Sequence, residues 1–302
     1  MRDGMEPLHD FPECIWPLGA ELGEGPVWSK TDKAVYFVDI KRKHIHRYAT
    51  DSRETMTWPA PSGPGFIIPA SDGRFVCGLR KGLYRFDART GTFDKLADVE
   101  QDRASNRLND GFADPQGYLW FGTMDDDENE PTGALYRVGD DGKIALCDDG
   151  YDIANGPAMS PDRRTLYHTD TRGRTIYASD VADDGTLSNK RAFIKVQGSA
   201  FPDGMAVDAE GCLWVALYTG GCIERYSPDG KQIDTVAFPC SNVTKLVFGG
   251  DDLRTAYVTT ALKGLSEAKR ERETLAGGLF AFRSPVPGLP QNVLTRGLVH
   301  AR

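Results

Sequence analysis

The stretch Ile153-Ala154-Asn155-Gly156-Pro157-Ala158-Met159-Ser160-Pro161-Asp162 decides how this chain is read. A polar side chain opens it, small residues follow, and Pro161-Asp162 supplies a turn. Thr165-Leu166-Tyr167-His168-Thr169 then resumes as an apolar run, so the segment reads as two short strands around a tight turn. The same grammar recurs elsewhere. Glu24-Gly25-Pro26-Val27-Trp28 leads through Thr31-Asp32-Lys33 to Ala34-Val35-Tyr36-Phe37-Val38-Asp39. Asn109-Asp110-Gly111-Phe112-Ala113-Asp114 leads to Tyr118-Leu119-Trp120-Phe121-Gly122, and Asp203-Gly204-Met205-Ala206-Val207-Asp208 leads to Cys212-Leu213-Trp214-Val215-Ala216. In each case an acidic or amide side chain stands at the opening.

Six such units open near Glu24, Gly65, Asn109, Asn155, Asp203 and Val243. A period of roughly 40–50 residues, with several short strands per unit, is the signature of a β-propeller. The third strand of a unit is easy to find: Gly82-Leu83-Tyr84-Arg85-Phe86, Ala134-Leu135-Tyr136-Arg137-Val138 and Gly278-Leu279-Phe280-Ala281-Phe282 are examples. Asp72-Gly73, Thr90-Gly91, Asp141-Gly142 and Asp229-Gly230 punctuate the runs as hairpin turns. The expectation is an all-β, six-bladed propeller with four-stranded blades, residues 1–302 forming one domain. Glu13 to Leu18 precedes the first unit and is strand-like. It is expected to complete the last blade, because closure removes an exposed edge. Only Ser266 to Ala276 suggests a helix, with Ser266 as a possible N-cap and Gly277 just past its end.

The chain carries 36 Lys and Arg against 44 Asp and Glu, a formal net charge of −8. Nucleic acid is therefore an unlikely partner class. The first apolar run, Cys14-Ile15-Trp16-Pro17-Leu18, is too short for a signal peptide core or a membrane span. The six cysteines form no CxxC pair and, with no export signal in view, read as reduced, mostly buried thiols of a cytoplasmic protein. A monomer or weak oligomer is expected.

In a propeller the innermost strands run along the central axis, so the unit openings converge. Glu24, Asn109 or Asp110, Asn155 and Asp203 would then meet in one funnel and form an oxygen-rich cation site. The bland alternative is that each opener caps its own turn, as Asn-Gly and Asp-Gly often do. Glu24 fits that alternative poorly, since glutamate is a poor turn former. His168, inside an apolar run, reads as a buried strand histidine.

Leu22-Gly23-Glu24-Gly25-Pro26, Asn106-Arg107-Leu108-Asn109-Asp110-Gly111, Gly122-Thr123-Met124, Asn155-Gly156-Pro157 and Pro202-Asp203-Gly204 resemble the signature blocks of the regucalcin/gluconolactonase/luciferin-regenerating-enzyme family. They occur in family order along nearly the whole chain. Tyr167-His168-Thr169-Asp170-Thr171 and Asn242-Val243-Thr244-Lys245 look most like bacterial sugar lactonases of the xylonolactonase and arabinolactonase kind. The resemblance implies one divalent cation in the funnel, held by Glu24, Asn155 and Asp203. Calcium, zinc, manganese, magnesium and ferrous iron all remain open. It implies that Arg107 and Asn109 contact substrate and that Asp203 is also the general base. The family often carries a glutamate after Gly-Thr-Met that reaches substrate; Asp127 stands at the matching place, with Glu128 next to it.

The implied activity is metal-dependent hydrolysis of a sugar lactone to the free aldonic acid. These residue types suit it: ester hydrolysis needs a polarised carbonyl, an activated water and support for an oxyanion. No Gly-x-Ser-x-Gly is present to suggest a serine hydrolase. The competing readings are a calcium-binding regulatory protein, a protein-binding platform, and a hydrolase of another ester or an organophosphate at the same metal.

Overall fold

The structure, a computed structural model, describes residue 9 and residues 11–300. The chain enters as β1 (Glu13–Trp16) and then builds six antiparallel sheets of four strands. Blade one is β2 (Gly23–Ser29), β3 (Ala34–Asp39), β4 (His44–Ala49) and β5 (Thr55–Pro59). Blade two is β6 (Phe66–Pro69), β7 (Phe75–Leu79), β8 (Gly82–Asp87) and β9 (Thr92–Asp98). Blade three runs β10 (Asn106–Ala113), β11 (Leu119–Asp125), β12 (Gly133–Val138) and β13 (Ile144–Tyr151). Blade four runs β14 (Ala154–Met159), β15 (Thr165–Asp170), β16 (Thr175–Val181) and β17 (Leu187–Lys195). Blade five runs β18 (Phe201–Val207), β19 (Leu213–Tyr218), β20 (Cys222–Tyr226) and β21 (Gln232–Ala237). Blade six is β22 (Val243–Gly249), β23 (Thr255–Thr260) and β24 (Leu279–Arg283), with β1 paired to β24 as its outer strand. This is the six-bladed propeller that the repeats predict.

Each innermost strand touches the next, from β2 round to β22 and back to β2. Those strands are covered on both faces and are almost wholly buried, whereas the outer β5 and β21 are mostly exposed. Aromatic rings bridge neighbouring blades. Tyr36 and Phe75 stand 4.6 Å apart between blades one and two, and Trp28 stacks on Tyr257 at 5.6 Å between blades one and six. Such pairs add specific geometry to the apolar burial that holds blades together.

A repeated aspartate fixes the first turn of blades three and five. Asp208 is fully buried; one oxygen accepts from the backbone N–H groups of Glu210 and Cys212, the other from Trp214 Nε1 at 2.8 Å and Arg225 Nε at 2.9 Å. Asp114 repeats the pattern with Gln116, Tyr118 and Trp120 Nε1. The buried Trp120 and Trp214 thereby each have a partner for the indole N–H.

The pairing of the first two strands is regular in blade two alone. In every other blade the register shifts, between Glu24 and Val27, Leu108 and Gly111, Asn155 and Ala158, Pro202 and Met205, and Val243 and Lys245. A β-bulge kinks its strand and re-aims the side chain that follows or precedes it. Here the bulges lie at the axial mouth of the ring. Gly156 takes φ +37 inside one of them, a backbone state that side chains disfavour.

Two expectations need correction. The N-terminal strand ends at Trp16 instead of Leu18, because Pro17 has no N–H for the ladder and Leu18 N turns back to Trp16 O. The helix is a short α1 (Glu267–Arg272), with no buried residue. Ser266 occupies its N-cap position without a side-chain bond, and Gly277 lies four residues beyond the Glu273 cap. All six cysteines are unpaired. Among the described residues no helix is long and apolar enough to cross a membrane.

The Asp208 device carries a measurable load. Asp208→Ala leaves the Trp214 N–H and the buried Arg225 guanidinium without their acceptor. A loss of about 3–5 kcal/mol is expected in denaturant unfolding. An unchanged midpoint would mean that the turn holds without it.

Candidate active site

At the mouth of the ring lies a cavity of about 280 Å³. The structure brings Glu24, Arg107, Asn109, Asn155 and Asp203 together on its wall, from β2, β10, β14 and β18. Blade two, the blade without the axial bulge, lends no lining residue. Leu22, Ile40, Met124, Ile153 and Phe201 add apolar lining from blades one, three, four and five.

Glu24 and Asp203 are the buried acids of the site, 7 % and 6 % exposed. The Glu24 carboxylate accepts one hydrogen bond among the described residues, from its own neighbour Gly25 N at 2.8 Å. Burial and the nearby Asp110 charge push its carboxyl up to about 7. Burial, with Glu24 and Asp110 close by, raises Asp203 well above the usual carboxylate range. Asn155 joins them: its Nδ2 donates to Asp203 Oδ1 and, at 3.3 Å, to Thr171 Oγ1. Two poorly compensated carboxylates beside an amide are a donor set suited to a hard divalent cation. Among the described residues no group of three or more His, Cys, Asp or Glu side chains is spaced to hold a metal ion. The candidate set is not of that kind, since its third donor is an amide oxygen. As a ligand Asn155 would present Oδ1 where Nδ2 now faces Asp203.

Asp110, the alternative opener, is already occupied. Its carboxylate accepts from Gly111 N at 2.7 Å, Gly156 N at 2.9 Å and Lys245 Nζ. Lys245 was missed in the sequence because it lies within the apolar run from Val243 to Phe248, far along the chain from its partner.

Arg107 is buried and fixed. Its Nε donates to Asp126 Oδ1 at 2.7 Å and its Nη1 to Asn109 Oδ1 at 2.7 Å, while Asn109 Nδ2 donates to Ala154 O. Asp126 also accepts from Lys41 at 2.8 Å and Arg80 at 3.2 Å. Burial opposes its ionisation, but Lys41 and Arg107 outweigh burial and hold the carboxyl near 2. Paired in this way, Arg107 is held in one orientation.

The Asp127 expectation fails on geometry. Asp127 is exposed and lies off the cavity wall, whereas Glu128, with φ +57, lines it. The left-handed residue turns the loop back over the mouth. Glu128 accepts from Lys263 Nζ through its side chain and from Arg172 Nη1 at 2.6 Å through its carbonyl. Arg172, Tyr218, Thr219 and Lys263 complete the rim. The helix α1 lends no residue to the cavity.

His168 is buried on β15, outside the cavity, with its Nε2 bonded to the Tyr151 hydroxyl at 2.7 Å. Burial pushes its imidazole down to about 4, so it stays neutral at neutral pH. It is the strand histidine that the sequence suggests.

Residues 22–262 match the model of a family described as SMP-30/Gluconolactonase/LRE-like region. The chain is 34 % identical over 284 residues to 6-deoxy-6-sulfogluconolactonase of Pseudomonas putida, covering 93 % of this chain and 97 % of that protein. It is 33 % identical to regucalcin of Xenopus laevis, over 89 % of this chain and 92 % of the relative. Among solved structures it is similar to a calcium-binding protein, regucalcin, from Agrobacterium tumefaciens, with TM-score 0.89, 27 % identity, and 93 % and 96 % of the two chains covered. The fold, the converging blade mouths and these matches agree: the chain belongs to the SMP-30/gluconolactonase/LRE-like family.

Proposed function

We propose that this protein hydrolyses the ring ester of a sugar lactone to the open aldonic acid, at a divalent cation held by Glu24, Asn155 and Asp203. The observation that carries the reading is the meeting of two buried carboxylates and an amide at one end of a cavity whose wall carries Arg107 and Asn109. The likeness to a sulfogluconolactonase over nearly the whole chain supports it.

A cation in this place would polarise the lactone carbonyl as a Lewis acid. The oxygen donors suit calcium, magnesium or manganese, and zinc or ferrous iron can also use them. The chain's own residues do the rest. Arg107 and Asn109 lie where sugar hydroxyls or the developing oxyanion would need donors, and their mutual bond fixes both before substrate arrives. The apolar lining residues, among them Leu22 and Phe201, would pack against the carbons of a sugar ring. Asp203, ionised beside a cation, accepts a proton from the attacking water. The water oxygen bonds to the carbonyl carbon, the ring C–O bond breaks, and the leaving oxygen takes up the proton that Asp203 accepted, which returns Asp203 to its carboxylate. Glu128, in place of Asp127, is the rim carboxylate that reaches substrate.

The similarity to regucalcin favours one second reading, a calcium-binding protein without turnover. A screen of pentono- and hexonolactones with a pH indicator separates the two. Turnover is expected with divalent metal, is lost to chelator, and returns on metal addition. Glu24→Gln and Asn155→Ala should lower both metal content and turnover. Full activity in metal-stripped protein would contradict the proposal, and tight cation binding without turnover on any lactone would favour the second reading.

Arg107 separates substrate binding from metal binding, because a permanent cation cannot be a ligand. Arg107→Ala is expected to keep wild-type metal content while kcat/KM falls by about 10–1000-fold, the loss of one or more charge-assisted hydrogen bonds. Unchanged kinetics would reduce Arg107 to an anchor for Asp126.

A further inference from the structure

Three carboxylates, not two, are buried at the axis. Asp110 is 2 % exposed, and one of its oxygens accepts from Gly156 N, the residue beside Asn155, at 2.9 Å. Against them stands Lys245, 7 % exposed, on the innermost strand of blade six. Its ammonium donates to Asp110 Oδ1 in a buried ion pair. The register shift between Val243 and Lys245 aims this side chain inward. Gly204, next to Asp203, makes room for it: a Cβ there would stand 2.4 Å from Lys245 Cγ. Lys245 does not line the cavity that holds Glu24 and Asp203. It lines a smaller one, about 100 Å³, walled by residues further along the same inner strands. The other cation nearby, Arg107, is engaged by Asp126.

We propose that Lys245 sets the charge of the cation site: by cancelling Asp110 it leaves the net two negative charges that match a divalent ion. The inference rests on the cation site proposed above. Asp110 is then no ligand but a positioning residue. Its second oxygen accepts from Gly156 N and so ties down the bulge that carries Asn155. Lys245 stands where it repels any cation bound by Glu24 and Asp203, and this repulsion penalises a trivalent ion more than a divalent one. A neutral residue at this place would leave three uncompensated acids in a buried space.

The test is a charge cycle read by binding, not by turnover. Calcium(II) and terbium(III), hard cations of similar size, are titrated by calorimetry at about pH 8.5, where carboxylate protonation competes least. Lys245→Met is expected to raise the terbium-to-calcium affinity ratio by about tenfold or more. Asp110→Asn, which leaves the lysine charge unopposed, should weaken calcium binding by about tenfold or more. The double variant, neutral at both places, should return both quantities close to wild type. A folded Lys245→Met with an unchanged ratio would overturn the inference, as would a double variant that keeps the weak binding of Asp110→Asn. If Lys245→Met does not fold, Asp110→Asn and the double variant decide alone. Wild-type protein that binds neither ion would instead remove the cation site itself.

Discussion

Glu24 and Asp203 are buried side by side on the wall of one cavity, and the rest of the structure holds them there. Burial above all, and after it the charges of neighbouring carboxylates, pushes both acids up from their usual range. A flexible scaffold would relieve the repulsion by moving the groups apart. A ring closed through β1 and β24 cannot, since each innermost strand is wedged between two others. The fold thus stores an unfavourable electrostatic arrangement, and a bound cation would relieve it. That relation links the packing of the blades to the chemistry at their mouth.

The rim has the opposite character. Asp126 gathers Lys41, Arg80 and Arg107 from three blades, and Glu128 gathers Lys263 and Arg172 from two more. An isolated exposed pair contributes little, but a shared carboxylate that is half-buried holds several long side chains in place at once. The acidic loop after β11 is tied across the funnel in this way. Its exposed Asp127 is bypassed, and its backbone turns at Glu128.

Much of the fold was legible in the sequence. The unit openings, the Leu-Tyr-Arg strands and the Asp-Gly turns repeat at a spacing that few architectures share, and β1 closes the last blade as edge protection demands. The bulges were not legible. Asn155-Gly156 and Asp203-Gly204 have the composition of ordinary turns, and only the register against β15 and β19 shows that they are kinks within strands. Convergence of Glu24, Asn155 and Asp203 followed from their equivalent places in the repeat. Lys245 and its pairing with Asp110 did not, because its neighbours from Val243 to Phe248 read as a plain inner strand. Which residue of the acidic run lines the cavity was not legible either: Glu128 does and Asp127 does not, since a single left-handed residue decides which side chain faces inward, and no spacing rule encodes that.

The proposed hydrolysis requires one divalent cation between Glu24, Asn155 and Asp203. Crystals grown with manganese, measured at its absorption edge, test this most directly. One anomalous peak is expected in the cavity, within the roughly 2.0–2.6 Å spanned by oxygen ligation of hard divalent ions, from a carboxylate oxygen of Glu24, Asn155 Oδ1 and a carboxylate oxygen of Asp203. A peak elsewhere, or none at saturating manganese, would contradict the account.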